Sequence, residues 1–135
     1  MKKAYVISVS LGQGCYRYIE IPQQNTLHDL HEAIQYAFHF DNDHPYAFFM
    51  NNHVWDDTES YYSPYMTEEE GVRSAEIKLS KLNLSPNKKF IYLFDFGDEW
   101  TFQCKVLRET KTDNIYIVRS VGDAPEQYPD YEENE

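Results

Sequence analysis

Hydrophobic and polar positions alternate along most of this chain, and where the alternation stops the spacing turns helical. Tyr5, Ile7, Val9 and Leu11 are interleaved with Ser8 and Ser10, a period of two that predicts a strand over 4–11. The rhythm resumes over 15–21 beyond Gly12-Gln-Gly14, so the first two strands read as a hairpin that Pro22 ends. Thr26 and Asp29 have capping-box spacing, and Leu27, Leu30, Ile34, Ala37 and Phe38 follow on one helical stripe. One amphipathic helix is predicted, ending near Phe40. A loop over 41–45, a strand over 46–50 and a turn at Asn51-Asn52 leading to Trp55 come next. From 56 to 73 the pattern is lost, and a long structureless stretch inside a compact domain points to function or mobility. A short strand over 76–79 and a helical turn over 80–84 follow.

The strongest pattern spans 90–106. Phe90, Tyr92, Phe94 and Phe96 fall on one face of a strand, and Trp100, Phe102, Cys104 and Val106 on one face of its partner. Gly97-Asp98 between them predicts a type II′ turn with Gly97 at positive φ. A last strand over 115–118 completes the set. The fold class is therefore α+β: one main helix packed on a mostly antiparallel, strongly aromatic sheet. The order of hairpin, helix and further strands is similar to a β-grasp. Residues 1–121 form a single domain with an acidic, tyrosine-rich loop at 56–73, and 122–135 an acidic tail low in aliphatics.

Charge narrows the choice of partner. The net charge is −11, with no Lys or Arg between Asp41 and Glu70 or from Gly122 onward. Such a surface repels phosphate backbones, which disfavours nucleic acid. No apolar run approaches the ~20 residues that span a bilayer. Met1-Lys-Lys followed by apolar residues up to Cys15 faintly suggests a lipoprotein signal, but its strand rhythm argues against export. Cys15 and Cys104 lack metal-type spacing and read as a reduced, buried pair in a cytoplasmic protein.

Catalytic motifs are few. Asp95-Phe-Gly97 spells the magnesium-binding tripeptide of protein kinases, but neither a phosphate loop nor a catalytic loop accompanies it. Asp41, Asp43 and His44 crowd the loop after the helix, and Asp95 and Asp98 the hairpin tip. Were the two loops to meet, these five could hold a divalent cation and activate a water, the basis of a metal-dependent hydrolase. His28, His31 and Glu32 lack the zinc-protease spacing, and His39, His44 and His53 show no partner. Neither cysteine stands beside a base.

Five stretches together resemble the Ri-plasmid ORF-3-like family, some of whose members carry the label of insertion-element passenger protein. They are Tyr16-Arg-Tyr-Ile-Glu-Ile-Pro22, Thr26-Leu-His-Asp-Leu-His31 with Ala33-Ile34, Asp41-Asn-Asp-His44, Phe94-Asp-Phe-Gly-Asp-Glu-Trp100 and Gly122-Asp-Ala-Pro125. The resemblance implies an α+β domain and, through its label, an accessory protein of a mobile element. It implies no mechanism, and the chain shows no serine-recombinase nucleophile motif. Many relatives continue after Ala-Pro with an acidic residue, a cysteine and paired glycines, whereas this chain reads Glu126-Gln-Tyr-Pro-Asp-Tyr131. The expected function is a small cytoplasmic binding module, without a cofactor unless the hydrolase reading holds. Trp55, Tyr61, Tyr62 and Tyr65 would meet a protein partner, since aromatic rings supply contact area at low entropic cost.

Overall fold

A computed structural model describes residues 1–128. Seven strands form one sheet: β1 (Lys3–Gly12), β2 (Cys15–Pro22), β3 (Tyr46–Phe49), β4 (Ser60–Tyr62), β5 (Lys89–Phe94), β6 (Trp100–Lys111) and β7 (Tyr116–Val121). Their order is β4-β3-β5-β6-β1-β2-β7, with every neighbouring pair antiparallel. The one α-helix among the described residues, α1 (Leu27–Phe38), packs on one face. The chain is thus α+β, with the aromatic sheet and lone helix that the hydrophobic pattern predicts.

The helix begins where Thr26 and Asp29 exchange side-chain-to-backbone bonds at 3.0 Å each, which satisfies two donors that helix geometry leaves unpaired. It ends at His39, whose φ of 59° is left-handed. Beneath it lie Ile7, Val9, Ile19, Ile21, Phe48, Phe90, Tyr92, Phe102 and Val106, all fully buried. Arg17 is 5% exposed and has no carboxylate partner among the described residues. Its guanidinium donates to the carbonyls of Ala37, Tyr16 and Val121 at 2.9–3.1 Å and lies 4.8 Å from the Phe38 ring centroid. The negative end of the helix dipole at Ala37 favours a cation there.

The opposite face carries a smaller cluster of Ala47, Phe49 and Leu93, against which Val54, Tyr62, Ile91 and Phe96 pack. All four residues of β3 are buried for that reason, since both faces of the strand are covered. The aromatic hairpin departs from expectation at its tip. The connection runs through five residues, Asp95 and Glu99 take positive φ (64° and 51°), and Gly97 does not. The left-handed step at Asp95 breaks the alternation of the strand, so Phe96 crosses to the small cluster instead of continuing the Phe90–Tyr92–Phe94 face.

The 56–73 loop contains more structure than its composition suggests. Two 3-10 turns, Asp57–Glu59 and Pro64–Met66, bracket β4, and Tyr62 bridges onward to Ser74. The strand expected over 76–79 is reduced to an isolated bridge between Lys78 and Thr26, and a 3-10 turn, Leu79–Lys81, follows. Residues 122–128 run back over the hairpin of β1 and β2 toward the loop after the helix. Cys15 Sγ donates to the Asp123 carbonyl, and Gln127 is 8% exposed, so this part of the acidic tail is docked. Residues 129–135 of that tail lie outside the described residues.

Candidate functional site

Two hollows flank the short edge strand β4, and Tyr65, which is 90% exposed, lines both. The larger, about 620 Å³, opens on the face away from the helix. Its floor is aromatic: Trp55 lies edge-on to Phe96 at 5.0 Å between centroids, and Tyr62 meets Phe96 at 6.1 Å. Phe49 buttresses Trp55 from below. Positive φ at Trp55 (65°) turns the indole over this cluster, and Nε1 donates to Glu99 Oε1 at 3.4 Å. The walls are acidic, comprising Asp57, Glu68, Glu69 and Glu70, and no Lys or Arg lines the hollow.

Tyr62 donates its hydroxyl to Asp57 Oδ1 at 2.7 Å. Burial, helped by that carboxylate, pushes its phenol up to about 12, so it stays a neutral donor. Arg73 is the nearby cation, and it is otherwise engaged. Its guanidinium donates to the carbonyls of Ser60, Asp57 and Thr58 and lies 5.3 Å from the Tyr61 ring. Three of the four aromatic residues expected at a binding surface therefore meet here: Trp55, Tyr62 and Tyr65. Tyr61 does not, because adjacent strand residues point to opposite faces and its ring packs toward the helix-side core. Phe96, Met66 and Asp57 join the site without having been singled out. Phe96 was hidden by the assumption that β5 keeps its alternation through the turn.

The smaller hollow, about 450 Å³, lies on the helix side, among His28, His44, Asp43, Tyr46 and Ser63. His28 Nδ1 accepts from the Tyr46 hydroxyl at 2.6 Å, while Nε2 faces Glu32 at 3.3 Å. Behind it His31, 2% exposed, stacks on Tyr46 at 3.7 Å and is held between Tyr92 and Asn42 at 2.6 and 2.7 Å. Burial outweighs the Asn42 hydrogen bond and lowers the His31 pKa to about 3, so the ring is a neutral part of the core. Burial likewise raises the Tyr46 and Tyr92 phenols and the Cys104 thiol, which argues against a nucleophile at any of the three. Cys15 is half-buried rather than buried, and both cysteines are free.

The five acidic and imidazole groups considered as metal ligands come together only in part. His44 Nε2 stands 3.4 Å from Asp95 Oδ2 and 3.7 Å from Asp43 Oδ1. Of these atoms His44 Nε2 and Asp43 Oδ1 are already used, and Asp95 Oδ2 faces His44 alone among the described residues. His44 Nε2 and Asp43 Oδ2 meet the Tyr128 hydroxyl, and Asp43 Oδ1 accepts from Gln127. Asp95 Oδ1 accepts from the backbone of Gly97 and Asp98 at 3.0 and 3.3 Å. Among the described residues no hydrogen bond or ion pair joins the Asp41 or Asp98 carboxylate to the group, and no cluster of three or more His, Cys, Asp or Glu is arranged to hold a metal. No helix among them is long and apolar enough to cross a membrane.

Comparison with known proteins adds the lineage. No curated protein matches the chain. The crystal structure of a protein of unknown function from Methanosarcina mazei Go1 is similar, with a TM-score of 0.61 and 23% identity over 96% of this chain and 67% of that one. A likeness at that identity shows the fold alone. The plasmid pRiA4b ORF-3-like profile matches residues 3–129, and the chain belongs to that family.

Proposed function

We propose that this protein is a small binding module that docks a segment of a protein partner in the hollow lined by Trp55, Tyr62, Tyr65 and Phe96. The observation that carries the reading is the pairing of exposed rings with a buttressed floor: Trp55 is 47% exposed yet rests on Phe49 and Phe96. Exposed aromatic surface on a rigid base loses little side-chain freedom when covered, which favours recognition. The cytoplasm, where free thiols persist, is part of the same proposal. The hydrolase alternative is weaker, because at its closest approach Asp43 and His44 are engaged with Gln127 and Tyr128, and no bond joins Asp41 or Asp98 to them among the described residues. An accessory role on a mobile element is compatible with a binding module and gains no separate observation.

The test is a photo-crosslinking residue placed at Tyr65, with a second placement at Tyr116 on β7, well away from the hollow. The expected result is an adduct that forms from position 65 in the native cell, is absent from position 116, and is lost in the Trp55→Ala background. Identical adducts from both positions would end the proposal.

A further inference from the structure

We propose that the segment taken up by this hollow is cationic, and that an arginine side chain is its anchor, lying on the Trp55 indole with its guanidinium among Asp57, Glu68, Glu69 and Glu70. This rests on the docking reading above and adds the chemistry of the occupant. Four carboxylates line the hollow with no Lys or Arg among its lining residues. Arg73, the cation that could neutralise them from within the same segment, gives its donors to three backbone carbonyls and faces Tyr61 instead. The acids therefore stand around an aromatic floor with their charge uncompensated from inside the hollow.

A carboxylate rim over exposed rings suits one kind of guest. A cation is attracted by the ring face and by the carboxylates together, whereas an acidic or phosphate-bearing guest is repelled by both. Arginine is favoured over lysine on geometric grounds. Its planar guanidinium can stack on an indole while donating bidentately to a carboxylate, and it sheds water more easily than an ammonium. The same segment already displays that chemistry, since Arg73 lies over the Tyr61 ring with its edge donors bonded. Tyr62 adds orientation: its neutral hydroxyl ties Asp57 Oδ1, which fixes the carboxylate at the mouth of the aromatic floor.

The experiment is a selection from a random dodecapeptide display library on the full chain, with depletion on the Trp55→Ala variant so that only binders dependent on the hollow survive. The best peptide is then measured against two charge-matched variants. One is E68Q/E69Q/E70Q in the wall. The other is E109Q/D123N/E126Q, none of which lines the hollow. The expected outcome is enrichment of arginine beside an apolar residue. Affinity should fall by about tenfold in the wall variant, as three exposed ion pairs would give, and by less than about twofold in the control. Equal loss in both variants would mean attraction to bulk negative charge and would overturn the proposal. Surviving peptides with no arginine or lysine enrichment would overturn the cationic occupant while leaving the docking reading standing. If no peptide depends on Trp55, both fall.

Discussion

Replacement of Asp95 tests how the hairpin tip is built. The residue is 6% exposed and sits at φ 64°. Its carboxylate accepts from the Gly97 and Asp98 amides, its own amide donates to Pro45, and its carbonyl accepts from Glu99. Asp and Asn tolerate the left-handed region because their short side chains bond locally, whereas alanine pays about 1–2 kcal/mol there. Losing a side-chain acceptor for two backbone donors costs about 1 kcal/mol by analogy with helix caps. Asp95→Ala should therefore lose about 2–3 kcal/mol. Asp95→Gly, which removes the strain but also the acceptor, should lose about 1–2 kcal/mol. Asp95→Asn, which keeps both the acceptor and the conformation, should lose less than about 1 kcal/mol. Urea unfolding with linear extrapolation gives the three values directly. An Ala variant within about 0.5 kcal/mol of the parent, well below that cap cost, would refute the reasoning. So would an Asn variant as damaged as Ala, which would move the effect from turn geometry to the charge facing His44.

Three further perturbations follow from the packing. His31 stays neutral in the fold down to a pKa of about 3, whereas an unfolded histidine protonates near 6.5. The unfolded chain thus binds more protons below that point, so stability present above pH 6.5 is lost as pH falls toward 3, at up to about 1.4 kcal/mol per unit. Urea midpoints across that window should flatten in His31→Gln, and an unchanged slope would remove His31 as the cause. Gly122→Ala places a Cβ against the Gly14 carbonyl at φ 79°, and strain plus overlap should cost about 2–4 kcal/mol in thermal or urea unfolding. A neutral result would mean that the tail does not approach the first hairpin so closely. Arg17→Met keeps the stem but strands three carbonyls, for a loss of about 2–3 kcal/mol and faster amide exchange over 122–128. Exchange confined to its parental rate there would contradict the role of Arg17 in holding the tail.

The helix and six of the seven strands were legible because periodicity decides them, whereas β4 lies where the alternation is lost and the strand expected over 76–79 is absent. The first hairpin, the capping box at Thr26 and the Phe90–Tyr92–Phe94 stripe are all present as the pattern reads. The tip at Asp95 was not, because sequence favours the glycine as the bent residue while the bend falls on an aspartate that supplies its own hydrogen bonds. At the candidate site, spacing gave Trp55, Tyr62 and Tyr65 as surface rings but could not say which face of β4 each would take. That depends on the pairing of Tyr62 with Ala47, which places Tyr62 with Phe49 and sends Tyr61 to the other side. Nothing in the spacing of His28, His31 and Glu32 marks His31 as core, yet it is buried against Tyr46 because β3 lies beneath that turn of the helix. The docking of Gln127 on the loop after the helix joins residues far apart in the chain and had no local signal.

The two tryptophans allow the most direct measurement. Trp55 lies in the hollow and is 47% exposed, while Nε1 of Trp100 is buried against the core. In a nitrogen-labelled sample titrated with the best selected peptide, the account predicts a progressive, saturable shift of the Trp55 indole resonance with that of Trp100 unmoved. Saturable binding that shifts Trp100 and leaves Trp55 in place would put the partner on another surface and contradict the central claim.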